Sequence, residues 1–273
     1  MIMSTDQMSD AERLACEIFT RTMSAWNAVH TFRWMGQLGL PHATNQAAWQ
    51  NERTCQHLAS EDKYAELFTG DRQKLVDLGV FENAAKAMTE QSVTTFNSAL
   101  DAASLILAHS VLDSAAIDWC RVCALAEPTD FMRDVRDVAQ KKVTLSEVYG
   151  AASISELRDT VIKGYLDKLE RESLIEKLDL ILRLCRPPPD FVAIETYRYD
   201  RERIVVLDKM RNDYAHRGLG RRLPGGDDDV WFLWKTTNFL LLLVNHRYGI
   251  RLDPALCSLL LAGQPNQAGT TKS

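Results

Sequence analysis

VTTFNSALDAASLILAHSVLDSAAIDWCRVCALA, residues 93–126, is the longest strongly apolar stretch of the chain, and its reading decides the fold class. Its apolar positions recur at intervals of three and four, the period of a helix face. Glu127-Pro128 stops it, because proline lacks an amide hydrogen and disfavours helical backbone in the residue before it. Helical periodicity continues on both sides, and the β-branched runs are too short and isolated to pair into a sheet. The expected fold is all-α: a helical bundle with additional N-terminal helices, in which residues 93–126 form the central helix of the bundle.

On the N-terminal side, ERLACEIFTRTMSAWNAVHTFRWMGQLGL (residues 12–40) is predicted to be one helix ending near Gly39 and Pro41. Two further helical stretches are expected around 45–68 and 71–90. Residues 1–94 thus read as a helical cap or regulatory region, 95–262 as the bundle, and 263–273 as a disordered tail. The aromatic stretch from Trp26 to Trp34 reads as core, with docking of a protein partner as the other use of such a stripe.

On the C-terminal side, short helices are expected around Thr144-Leu145-Ser146-Glu147, then a helical stretch over ISELRDTVIKGYLDKLERESLIEKLDLILRLC (154–185), ended by Pro187 to Pro189. VWFLWKTTNFLLLLVNHRYGI (230–250) is apolar but interrupted by Lys235, Asn238, Asn245 and His246. It is also shorter than a bilayer demands, roughly 20 apolar residues, and so is predicted to be a buried bundle helix.

Of the 273 residues, 46% are apolar and 25% charged, and only 13 are Gly and 8 Pro, which argues against a disordered or turn-dense all-β chain. The net charge of −5 offers no global attraction for nucleic acid, so any such partner must be held by a local patch. MIMSTDQMSDAERLACEIF places acids where a signal peptide needs a basic start, and the expectation is a cytoplasmic protein without membrane partners. In that compartment the six cysteines are expected to be reduced. Cys120 and Cys123 form a C-x-x-C pair, but inside the apolar helix and with no second pair to complete a zinc site; they read as core. No metal or cofactor is expected.

Chemistry concentrates in TYRYDRERIVVLDKMRNDYAHRG, residues 196–218. On a helix from about Tyr199 to Arg217, Leu207, Met210 and Tyr214 form the core-facing stripe. Asp208, Asn212 and His216 fall four apart on a polar ridge with Arg211 beside it. Gly218 and Gly220 are expected to cap the helix, leaving His216 in the last turn, where unsatisfied carbonyls favour a cation. Between 198 and 222, Arg198, Arg201, Arg203, Lys209, Arg211, Arg217, Arg221 and Arg222 outnumber Asp200, Glu202, Asp208 and Asp213. This is a basic patch in an acidic protein, fit to hold a phosphate backbone, and Lys209, Arg217, Arg221 and Arg222 are the candidate RNA contacts.

Arg211 and His216, spaced R-x4-H, with Asn212 directly after the arginine and an apolar helix following, resemble the motif of the HEPN superfamily; the resemblance covers about residues 95–262. It implies an all-α bundle of HEPN type and a metal-independent endoribonuclease of the kind found among toxins and antiviral defence effectors. RNA can be cut without metal because its 2′-hydroxyl can attack the adjacent phosphorus. His216 would serve as general acid or base, Arg211 would clamp the phosphoryl oxygens, and Asn212 would orient them. One imidazole cannot comfortably serve both sides of an in-line displacement, so the implied site is composite, shared by Arg211 and His216 of two chains in a homodimer. Asp113, and secondarily Asp208, would support the arginine, with a solvated helix face as the plainer role of Asp113 and Asp118. An antitoxin or other regulatory protein is the further partner implied. Some relatives carry a tyrosine two residues after the histidine as a target of nucleotide modification; Gly218 stands there, so that control is not expected. Two other readings remain: a bundle of this type that binds RNA or dimerises without cleaving, and a plain helical protein-interaction module.

Overall fold

The structure, a computed structural model, describes residues 8–60, 72–135, 142–188, 191, 199–217 and 226–250. The disordered tail expected over 263–273 and the glycine cap at Gly218 and Gly220 lie outside them. Among the described residues every regular element is a helix: α1 (Asp10–Ser60), α2 (Arg72–Asp77), α3 (Val80–Ala126), α4 (Pro128–Asp134), α5 (Leu145–Gly150), α6 (Ile154–Leu169), α7 (Leu174–Cys185), α8 (Arg201–Arg217) and α9 (Gly226–Tyr248). The class is all-α, as the periodicity predicts.

Three expected boundaries are corrected. Helix α1 does not end at Gly39-Pro41 but runs through Pro41 to Ser60, and α3 begins at Val80 without a break near 90. The domain boundary expected at 94/95 therefore falls inside α3. An interior proline costs about 3 kcal/mol, but α1 is gripped by α3 on both sides of it. Arg33 Nη2 lies 2.8 Å from Asp101 Oδ1, a Cβ built on Gly36 would come within 2.5 Å of Leu100 Cδ1, and Asn51 Nδ2 donates to Thr89 Oγ1 at 3.1 Å. The third correction is the stretch 154–185, which divides into α6 and α7. Ser173 Oγ accepts from the Glu176 amide at 3.3 Å while Glu176 Oε2 accepts from the Ser173 amide at 3.0 Å, a capping box that starts a new helix. Thr144 and Glu147 form the same box at the start of α5. Helix α7 stops with Arg186 in the left-handed region (φ 46°), ahead of Pro187.

The chain forms two compact units: Met1–Asn27 with Ala108–Lys209 and Val230–Ser273, and Ala28–Leu107 with Met210–Asp229. The divisions fall within helices rather than in loops. In the first unit the core is built by Ala15, Ile18, Phe19 and Trp26 of α1, Leu112, Trp119 and Val122 of α3, Leu178 and Ile181 of α7, Ile204 and Leu207 of α8, and Leu233, Leu240 and Val244 of α9. Each large apolar side chain so buried contributes about 1.5–3 kcal/mol. Helix α9 is buried through its middle. It accommodates its polar residues by turning them onto its own backbone: Thr236, Thr237 and Asn238 donate to the carbonyls four residues earlier at 2.9–3.0 Å. Phe131 of α4 packs edge-on against Tyr165, ring centres 6.0 Å apart.

The second unit contains a helical hairpin, together with α2, the end of α8 and the start of α9. The contacts Arg33 to Asp101, Gly36 to Leu100 and Asn51 to Thr89 pair rising numbers in α1 with falling numbers in α3, so the helices run antiparallel. The Trp26–Trp34 stretch divides accordingly: Trp26 is buried in the first unit, whereas Trp34 in the second is exposed.

Candidate functional site

Helix α8 starts where the sequence provides an acceptor. Asp200 Oδ1 takes the Arg203 amide at 3.1 Å and the Asp200 carbonyl takes that of Ile204, also at 3.1 Å. The first turn then fastens to its own unit: Arg201 grips Asp179 through two nitrogens, at 3.1 and 2.9 Å, and the Arg203 guanidinium lies 4.4 Å over the Phe232 ring. Two cations counted in the expected basic patch are thus engaged in structural contacts. Lys209 is exposed; Arg198, Arg221 and Arg222 lie outside the described residues, as does the side chain of Arg217.

Also in the first unit, Asp208 Oδ1 lies 3.0 Å from Nε2 of His109, a buried residue of α3. This pair joins α3 to α8 within the first unit. Asp113 is corrected. Its carboxylate accepts from Lys177 Nζ at 2.7 Å, and Lys177 is buried, so Asp113 stabilises a core ammonium of α7. Asp118 meets Arg21 and, at 2.8 Å, Arg121. His109 was not among the residues singled out from the sequence; the one signal for it is a titratable side chain inside the most apolar run of the chain.

In the second unit, Arg211, Asn212, Asp213 and Tyr214 are half-buried, while Ala215 and His216 are exposed. The stripe expected to face the core is fully buried at Leu207, in the first unit, and only half-buried at Met210 and Tyr214. Burial pushes the Tyr214 hydroxyl up to about 12, and Asp101 and Asp229 add to the effect. His216 is the penultimate residue of α8 and offers its imidazole to solvent. Five residues along a helix correspond to about 7.5 Å of rise and a turn of about 140°. Arg211 and His216 are therefore set on different sides of α8.

Cys120, Cys123 and Cys185 are buried. Burial first, then Cys123, pushes the Cys120 thiol up; a hydrogen bond with Cys123, then burial, does so for Cys185. Cys120 Sγ donates to the Lys177 carbonyl at 3.8 Å. The C-x-x-C pair is core, and among the described residues no three His, Cys, Asp or Glu side chains gather as metal ligands would. No known protein family, curated protein or solved structure matches this chain.

Proposed function

We propose that this protein is a metal-independent endoribonuclease of HEPN type, acting as a homodimer whose groove takes Arg211, Asn212 and His216 from each chain, in the role of a toxin or antiviral defence effector. The observation that carries the reading is the R-x4-H segment on one continuous helix. An exposed His216 stands near its end, and Arg211 and Asn212 are held half-buried before it. In this mechanism the RNA 2′-hydroxyl attacks the adjacent phosphorus and the 5′-oxygen of the next nucleotide leaves. His216 of one chain takes the hydroxyl proton, and His216 of the other delivers a proton to the leaving oxygen. Arg211 neutralises the crowded phosphoryl oxygens with a planar fork of donors that lysine lacks. The divergence of Arg211 and His216 around a single helix favours a site completed by a second chain about a two-fold axis.

The test is incubation of the purified protein with RNA and with DNA in excess EDTA. Cleavage of RNA alone is expected, lost by about 10²–10⁴-fold in His216→Ala and in Arg211→Ala. An equimolar mixture of the two variants is expected to stay inactive, because a mixed dimer carries a single His216 and the mechanism uses two. RNA binding without cleavage would replace this reading with that of a non-catalytic RNA-binding bundle. Cleavage abolished by EDTA would refute the mechanism.

A further inference from the structure

Tyr214 stands inside the Arg-to-His segment without a part in its chemistry. Apolar spacing along α8 groups it with Leu207 and Met210, yet Leu207 is sealed and Tyr214 only half-buried. Its hydroxyl is neither shut off from water nor hydrogen-bonded among the described residues. Two carboxylates of the same unit act on it, Asp101 of α3 and Asp229 of α9. Asp101 is already held by Arg33 at 2.8 Å, and Asp229 is buried. Burial of the phenol and these two charges push its titration up to about 12, so at neutral pH Tyr214 keeps its proton and is a neutral donor. Helix geometry sets its direction. Tyr214 follows Arg211 by three residues, about 4.5 Å of rise and a turn of about 60°, which makes the two side chains neighbours on one side of α8. His216 comes two residues later, about 160° around the helix from Tyr214.

We propose that Tyr214 is a further catalytic residue of the RNA-cleaving site, its hydroxyl donating a hydrogen bond to a non-bridging phosphoryl oxygen beside the Arg211 fork. The inference rests on the ribonuclease reading and deepens it by one residue. As the 2′-oxygen bonds to phosphorus and the bond from phosphorus to the 5′-oxygen breaks, negative charge gathers on the two non-bridging oxygens. Arg211 meets that charge with a charge of its own, and Tyr214 adds a donor without adding a second cation. The tyrosine proton stays on tyrosine throughout; the two protons that move remain those handled by the two His216 side chains. A neutral hydroxyl gains most where the oxygen it meets becomes more negative, so its contribution falls on the rate of cleavage and little of it on RNA affinity.

Single-turnover cleavage of a defined RNA strand in excess EDTA tests it, beside the dissociation constant for the same strand made uncleavable by a 2′-deoxynucleotide 5′ of the cut bond. Tyr214→Phe removes only the hydroxyl, and its circular dichroism and melting temperature at neutral pH are expected to match wild type. Its rate is expected to fall about 10²-fold with the dissociation constant unchanged. Tyr149→Phe, at a tyrosine of α5 that is 86% exposed, is expected to keep the full rate. Sulfur in place of one non-bridging oxygen accepts hydrogen bonds poorly, so it is expected to slow wild type at one of the two diastereomers and to slow Tyr214→Phe less. A Tyr214→Phe rate equal to wild type, a loss confined to binding, or the same sulfur effect in both proteins overturns the proposal and leaves the ribonuclease reading in place. If wild type cuts no RNA, that reading falls and this proposal with it.

Discussion

Residues that look alike in the sequence separate by what they touch. Asp113 and Asp208 both read as carboxylates near a motif arginine, yet Asp113 meets buried Lys177 and Asp208 meets buried His109. A half-exposed carboxylate on a buried ammonium makes the two partners unequal. Asp113→Ala leaves the Lys177 charge in the core and is expected to cost about 3–5 kcal/mol in urea unfolding, whereas Lys177→Met frees a carboxylate that water can reach and is expected to cost little or to stabilise. Tyr214 supplies a pH dependence. Its folded-state value of about 12 exceeds the ordinary tyrosine value, so folding favours the protonated phenol. That stability is intact below about pH 10 and is lost as pH rises through 12. Tyr214→Phe is expected to weaken the fall in thermal stability over this window and leave neutral pH unchanged. Arg211, Asn212 and His216 could be picked from the sequence because their spacing and helix are local properties. His109 and Lys177 could not, because a buried polar residue is identified by partners 99 and 64 positions away.

At the scale of elements, the sequence is clear where periodicity is long and ambiguous where a single punctuating residue must be weighed against packing. The all-α class, α9 and the body of α3 follow from apolar spacing alone. Pro41 misleads because its local cost is outweighed by contacts with α3 on either side, and these join residues 68 and 38 positions apart. Ser173-x-x-Glu176 misleads in the opposite sense: the helix start is written in four residues, inside a stretch whose periodicity continues through it. Pro41→Ala restores one backbone hydrogen bond in an exposed helix interior and is expected to stabilise the protein by about 1–3 kcal/mol, read as a rise in melting temperature. An unchanged or lower melting temperature would mean that the proline bends α1 into its fit with α3.

For the whole molecule, the division into two compact units falls within the motif helix. Asp208 belongs with the first unit, and Arg211, Asn212 and His216 with the second. The boundary expected at 94/95 does not mark this division, because contacts join segments far apart in sequence. With Arg201 and Arg203 committed to Asp179 and Phe232, the proposed RNA binding would rest on fewer cations than the sequence tally suggests. The most direct measurement is single-turnover cleavage, in excess EDTA, of a defined RNA strand beside the same strand carrying one 2′-deoxynucleotide immediately 5′ of the cleaved bond. Attack by the 2′-hydroxyl, promoted by His216, predicts a 2′,3′-cyclic phosphate on the natural strand, no cut at the deoxy position, and loss of both product and end group in His216→Ala. Cleavage of the deoxy strand, or undiminished cleavage by His216→Ala, would contradict it.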